Sequence, residues 1–158
     1  MPRLLWLLCL VNLIIGSGAF VIGGILTPIA QDLRISVPAA GQAMTAYALS
    51  TALLAPLVLL ATGRWPRQRA LLLALALFAL GNLLCALSSS LAMLLAGRVL
   101  MGLGAVFTPI AAGIAVAVVE PAERGKALAL TFLGISLSYV IGVPLGSWLG
   151  LALGWHAP

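Results

Sequence analysis

The chain is predicted to be an all-α integral membrane protein, and three observations carry that reading. Of 158 residues, 63% are hydrophobic and only 7% charged, whereas a soluble domain needs about a quarter of its residues charged. Mean hydropathy is +1.23. The apolar residues fall into five blocks, 4–30, 39–61, 70–87, 91–119 and 127–153, each of at least 18 residues. At 1.5 Å per residue such a block crosses a hydrocarbon core of roughly 30 Å, with tilt where longer. Lipid offers no partner to a free peptide group, so the spans are helices or a closed barrel, and runs this long exclude barrel strands.

Span 1 begins after Arg3 and is expected to end at Pro28. Its start, with Gly16-Ser17-Gly18-Ala19 after an apolar run, has the look of a secretory signal. The apolar block continues to Ala30, too long for a signal core, and four more spans follow. Span 2 follows Gln31-Asp32-Leu33-Arg34 to Pro38, and span 3 follows the basic loop Thr62 to Arg69. Ser88-Ser89-Ser90 leads into span 4, and Glu120 to Lys126 into span 5. Pro56, Pro109 and Pro144 lie within spans and predict bends there. Span 5 carries Gly134, Ser138, Gly142, Gly146 and Gly150 at a spacing of four, which predicts a tightly packed partner helix or a sliding surface.

Six basic residues, Arg3, Arg64, Arg67, Arg69, Arg124 and Lys126, fall on one side and only Arg34 on the other. The positive-inside rule then places the amino terminus in the cytoplasm. Trp65, Trp148 and Trp155 near span ends read as interfacial anchors. Basic residues scattered between apolar blocks form no nucleic-acid patch, so no nucleic-acid partner is expected. Cys9 and Cys85 lie in apolar blocks and read as small buried hydrophobes. The single histidine, His156, lies past the last span, and no nucleophile–base pair, metal motif or phosphate-binding loop is present. No enzyme activity, cofactor or metal is expected.

Arg98 is the informative exception, a charge within the 91–119 block. A central arginine costs about 2.5–3.5 kcal/mol on insertion scales. Two readings remain: it faces a wet cavity, as the adjacent Gly102 and Gly104 suggest, or it snorkels outward, being only about 10 Å along the helix from Leu91.

Several segments together resemble the amino-terminal part of the major facilitator superfamily, in particular the drug:proton antiporter branch with its arabinose and chloramphenicol exporter relatives. Gly24 to Leu33 is similar to that branch's "LPxIAxDL" ending of span 1, and Ala46 to Leu57 to its "YALGxxxGAPL" stretch. Arg64, Arg67 and Arg69 occupy the place of its basic cytoplasmic motif, and Arg98 with Gly102 and Gly104 matches "RxxxGxG". Glu123-Arg124-Gly125-Lys126-Ala127 looks like "ERGRA", and Gly142 to Gly146 like the span 5 antiporter motif.

The resemblance implies five helices of a six-helix half (residues 1–158, an incomplete amino-terminal transmembrane half), with the carboxy-terminal half of the transporter as a missing partner. It implies a multi-pass protein of the bacterial inner (plasma) membrane that exports small molecules, drug or sugar, by alternating access with proton coupling. Arg98 would handle substrate or proton, with Asn12, Ser17, Phe20, Gln42, Thr45, Tyr47, Met101, Phe107, Ser136 and Tyr139 as candidate lining groups. Such a lining suits a neutral or lipophilic small-molecule substrate better than an ion. Arg64, Arg67, Arg69, Glu123 and Arg124 would form a cytoplasmic gating latch, and Gly102, Gly104, Gly134, Gly142, Pro144, Gly146 and Gly150 helix contacts. Two positions depart from the family: Gly63 replaces the usual aspartate of the basic motif, leaving Glu120 and Glu123 as candidate partners for the loop arginines, and Ala19 replaces an acid before Phe20. Asp32, Glu120 and Glu123 are the chain's only acids, all in loops, so proton coupling would take its titrating group from elsewhere in the transporter or work through Arg98 and substrate. The rival reading is a non-transporting membrane fragment or helix–helix assembly subunit.

Overall fold

A computed structural model describes residues 3–158. It contains five helices long and apolar enough to cross a membrane, Arg3–Gly24, Val37–Ala61, Arg67–Ala86, Leu91–Ala117 and Pro121–Leu153, hereafter spans 1 to 5. All described secondary structure is helical.

The ends follow local chemistry. Ser36 and Ser90 cap spans 2 and 4, their hydroxyls accepting from the Ala39 and Met93 amides at 3.3 Å each. A separate helix, Leu26–Asp32, closes with Arg34 at φ 54°. There Ile35 N–H reaches the Ala30 carbonyl at 2.9 Å, the bond of a Schellman turn, which reverses the chain into span 2.

The prolines correct the expected boundaries. Span 1 does not run to Pro28: its α-helix ends at Phe20, Val21–Gly24 tighten to a 3-10 turn, and Pro28 sits in the first turn of Leu26–Asp32. Pro109 likewise follows a break, in the first turn of Phe107–Ala117. In both cases the proline's missing N–H falls where a helix start has no carbonyl to offer it. Pro56 and Pro144 each follow a five-residue π-helical turn, Ser50–Leu54 and Ser138–Gly142. Spans 2, 3 and 5 also start earlier than the apolar blocks, because Pro38, Arg67 and Pro121 tolerate a first turn at the interface.

Glycine sets which spans touch. A methyl on Gly97 would lie 2.9 Å from the Gly81 carbonyl oxygen, and one on Gly104 2.7 Å from that of Ala74, so span 4 lies against span 3. Span 5 lies against span 1: a methyl on Gly134 would collide with the Cys9 carbonyl, on Gly142 with Ser17, on Gly146 with Val21 and on Gly150 with Ile25. Backbones approach this closely only where side chains are absent, and in lipid that contact replaces hydrophobic exclusion as the source of association. Two apolar clusters fill the bundle, one around Leu5, Phe78, Phe107 and Ala111, the other around Ile22, Ile29, Ala43 and Leu94. Arg98 lies between them.

Candidate functional site

Arg98 is 2% exposed. Its guanidinium neither snorkels nor meets a carboxylate; it is solvated by peptide carbonyls. Nε donates to Ala43 of span 2 at 3.3 Å, Nη1 to Gly18 of span 1 at 3.1 Å, and Nη2 to Ala19. Nη1 also meets the Met101 sulfur at 3.6 Å. The carbonyls are free because span 1 leaves α-helical winding at Phe20. An α-helix would have bonded Gly18 and Ala19 to the amides four residues on; the 3-10 turn, built with Gly23 and Gly24, withdraws them. Burial that would otherwise be prohibitive is offset by these charge-assisted bonds. Of five guanidinium N–H groups, one on Nη2 is left over.

One side of Arg98 carries aromatics. Its guanidinium lies 4.8 Å from the Tyr47 ring centre, a cation–π distance. Phe20 meets Tyr47 edge-on at 6.4 Å and stacks on Tyr139 at 4.6 Å. Tyr139 is 53% exposed, so this shelf between spans 1, 2 and 5 is open. The other side of Arg98 borders a cavity of about 740 Å³ between spans 1, 3 and 5, mostly apolar, with Ser17, Asn82, Met101 and His156 in its lining.

The structure therefore brings Arg98, Phe20, Tyr47, Met101 and Tyr139 together. Asn12 lies apart, fully buried between spans 4 and 5: its Nδ2 donates to the Thr131 carbonyl at 3.0 Å and its Oδ1 accepts from Thr108 at 2.9 Å. Phe107 is likewise core, 1% exposed. On the amino-terminal side, Arg64, Arg69, Glu123 and Arg124 are exposed, and Arg67 donates to the Gly113 carbonyl of span 4 at 2.8 Å.

Trp155 is not an interfacial anchor. It is 8% exposed, its Nε1 donating to Asp32 Oδ2 at 2.9 Å, because the chain turns inward after Gly154 at φ 98°. His156 stacks on it at 3.6 Å and its Nε2 lies 3.1 Å from the Ser88 carbonyl. Trp65 and Trp148 are exposed, at 49% and 63%. Sequence reasoning missed this cluster and the carbonyl ligands of Arg98. The Gly23-Gly24 pair was the available signal for the second; nothing local marks the first.

Five helices able to cross a membrane, a small-residue seam and a span 4 arginine seated on span 1 define a multi-pass membrane protein. The major facilitator superfamily pattern matches residues 8–158. The chain belongs to that superfamily, whose members are secondary transporters and not enzymes. It is 35% identical over 154 residues to the uncharacterized MFS-type transporter YbcL of Bacillus subtilis (strain 168), covering 97% of this chain and 40% of that protein. It is 35% identical over 152 residues to the inner membrane transport protein YdhP of Escherichia coli (strain K12), covering 91% and 39%. To a chloramphenicol resistance protein of Streptomyces lividans it is 37% identical over 158 residues, covering 99% and 40%. The chain thus spans about 40% of the length of these relatives.

Proposed function

We propose that this chain is the amino-terminal part of a bacterial inner-membrane exporter of small, uncharged or lipophilic aromatic compounds, working by alternating access with the amino terminus in the cytoplasm. The observation that carries the reading is the shelf of Phe20, Tyr47 and Tyr139 set against a buried, carboxylate-free Arg98. An uncompensated guanidinium repels lipophilic cations, while aromatic faces accept flat neutral solutes. The chloramphenicol resistance of one relative supports the same solute class. Proton coupling of such an exporter would draw on a titrating group elsewhere in the transporter or on Arg98 and substrate, since Asp32, Glu120 and Glu123 are all exposed and outside the aromatic shelf.

The cavity between spans 1, 3 and 5 suits a further helix of the same transporter, with the Asn82 amide available for an interhelical hydrogen bond. That observation also favours the rival reading, an assembly subunit whose partner helix comes from another protein. The two separate in a resistance assay. A transporter comprising this chain and a carboxy-terminal half, expressed in an efflux-deficient host, is expected to raise chloramphenicol tolerance, and Arg98→Ala to abolish the gain while membrane insertion persists. Unchanged tolerance in Arg98→Ala removes the arginine from the mechanism; no tolerance in the parent overturns the exporter reading.

A further inference from the structure

Buried hydroxyls in this bundle find partners close by. Thr62 and Thr131 donate to the carbonyls four residues back, Val58 and Ala127, at 2.8 Å each, as a threonine inside a helix ordinarily does. Ser50 donates to the Val99 carbonyl of span 4 at 2.7 Å, and Thr108 to Asn12 at 2.9 Å. Thr51 breaks the pattern. Its Oγ1 is, among the described residues, the one buried side-chain nitrogen or oxygen without a hydrogen-bond partner. Leaving a buried hydroxyl unpaired is destabilising, and native structures tolerate few such groups.

The backbone supplies the cause. The carbonyl that Thr51 would use belongs to Tyr47, and it is pressed against span 4: a methyl on Gly102 would lie 2.8 Å from it. The same carbonyl already accepts the Ser50 amide. Winding then changes to five-residue turns over Ser50–Leu54, which shifts side chains off the carbonyls one α-turn back. What Thr51 meets instead is the aromatic shelf. Its hydroxyl neighbours the Tyr47 phenol, one turn earlier, without the geometry of a hydrogen bond. The Tyr47 ring in turn lies 4.8 Å from the Arg98 guanidinium and meets Phe20 edge-on. Both hydroxyls can donate, and the field of the guanidinium favours electron-rich atoms beside them.

We propose that Thr51 is a specificity-determining residue of the solute site: its hydroxyl, with that of Tyr47, donates to a hydrogen-bond acceptor, a carbonyl or nitro oxygen, on an uncharged aromatic solute lying against Phe20 and Tyr139. The inference rests on the exporter reading, and narrows its solutes from flat neutral compounds to those with an acceptor at the ring edge. The acceptor enters between the two hydroxyls as the Tyr47 ring turns aside, and supplies the partner that the solute-free protein lacks. A solute without an acceptor leaves Thr51 unpaired. A site built to hydrogen-bond its solute rejects such an analogue more strongly than an apolar pocket does.

Two measurements test this. The first compares efflux of Nile red, a neutral dye with a carbonyl oxygen, and N-phenyl-1-naphthylamine, a neutral dye with no oxygen. Both are followed by fluorescence in an efflux-deficient host expressing this chain with a carboxy-terminal half. Thr51→Val removes the hydroxyl and nearly keeps the shape. It is expected to lower the ratio of Nile red to naphthylamine efflux about fivefold, the worth of one net hydrogen bond, and Thr51→Ser to restore the ratio. An unchanged ratio, or a loss shared equally by both dyes, overturns the assignment. The second measurement needs no transport: the thermal unfolding midpoint of the purified chain in detergent. With no partner to lose, Thr51→Val is expected to unfold at a higher temperature than the parent, and chloramphenicol to raise the parent's midpoint more than the variant's. A lower midpoint in Thr51→Val means the hydroxyl is already satisfied within the protein and overturns the proposal; equal shifts with chloramphenicol, zero included, do the same. A parent that exports neither dye defeats the exporter reading, and the unfolding result still decides Thr51.

Discussion

Arg98 and the loop arginines Arg64, Arg67 and Arg69 are one side chain in two solvents. The loop arginines are exposed, and among the described residues only Arg67 of the three holds a hydrogen-bond partner, the Gly113 carbonyl. Arg98 has exchanged water for the carbonyls of Gly18, Ala19 and Ala43. The difference lies in the surroundings: a membrane helix can bury a guanidinium when a neighbouring helix breaks its own ladder to supply the acceptors. Arg98 thereby couples the winding of span 1 to the position of span 4. A charge in that role fixes geometry, and its contact with the Tyr47 ring ties it to the aromatic shelf.

The sharpest way to break this comparison is to remove both kinds of arginine identically. Arg98→Met leaves three buried carbonyls without donors, each worth about 1–3 kcal/mol. Set against the relieved desolvation of the charge, a net loss of about 3 kcal/mol is expected. Arg64→Met is expected to change stability by less than about 0.5 kcal/mol. Thermal unfolding in detergent checks both, and equal midpoints for the two variants would show that the carbonyl seat contributes nothing. Arg98→Lys is expected to recover only part of the loss, since one ammonium cannot span carbonyls on two helices as a planar fork does.

Glycine repeats the lesson without charge. Gly134 lies against the Cys9 backbone, where a methyl has no room, whereas Gly113 has nothing within 4 Å of the place its Cβ would take. Gly134→Ala is expected to destabilise the chain by about 1–3 kcal/mol through forced separation of spans 1 and 5. Gly113→Ala, in mid-helix, is expected to be neutral or to stabilise by about 0.5–1 kcal/mol. The same unfolding measurement decides, and a Gly134→Ala midpoint at or above the parent's would remove the small-residue seam as the source of that contact.

The five spans were legible in the sequence because lipid leaves the backbone no alternative to helices, and an 18-residue apolar run is hard to mistake. Boundaries were less so. Pro28 and Pro109 read as interruptions, yet each begins a new helix, because the break comes before a proline where the lost N–H would have pointed. The site was half legible. Arg98 stood out by its charge, and Phe20, Tyr47, Met101 and Tyr139 gather around it, but its true partners are peptide carbonyls, which carry no sequence signature beyond Gly23-Gly24. Asn12 misled because a polar residue in a span looks the same whether it faces a cavity or bonds Thr108 and Thr131. Pro56 and Pro144 marked the bends in spans 2 and 5, but not the five-residue winding of the turn that precedes each.

Trp155 and Asp32 offer a smaller contrast, a side-chain bond at the far end of the bundle where the loop arginines' end has almost none. The bond from Trp155 Nε1 to Asp32 Oδ2 joins the end of span 5 to the turn before span 2. Asp32 is exposed, so water competes for it, and Trp155→Phe is expected to cost about 1 kcal/mol, most of it the hydrogen bond with ring packing retained.

Arg67 gives the smallest effect and the cleanest control. It is exposed like Arg64, but its Nη1 bridges spans 3 and 4 through Gly113 at 2.8 Å. If solvent exposure alone sets an arginine's worth, Arg67→Gln and Arg64→Gln will match. If the carbonyl acceptor matters even at the interface, Arg67→Gln will cost about 0.5–1 kcal/mol more, the net value of one hydrogen bond in competition with water. A double variant with Gly113→Pro cannot serve as the partner in a cycle, because it would break the helix that supplies the acceptor. Salt titration serves instead. A bond to a neutral carbonyl is screened less than an ion pair, so the Arg67→Gln deficit should persist at high ionic strength, and a deficit that vanishes with salt would assign Arg67 to long-range charge and not to Gly113.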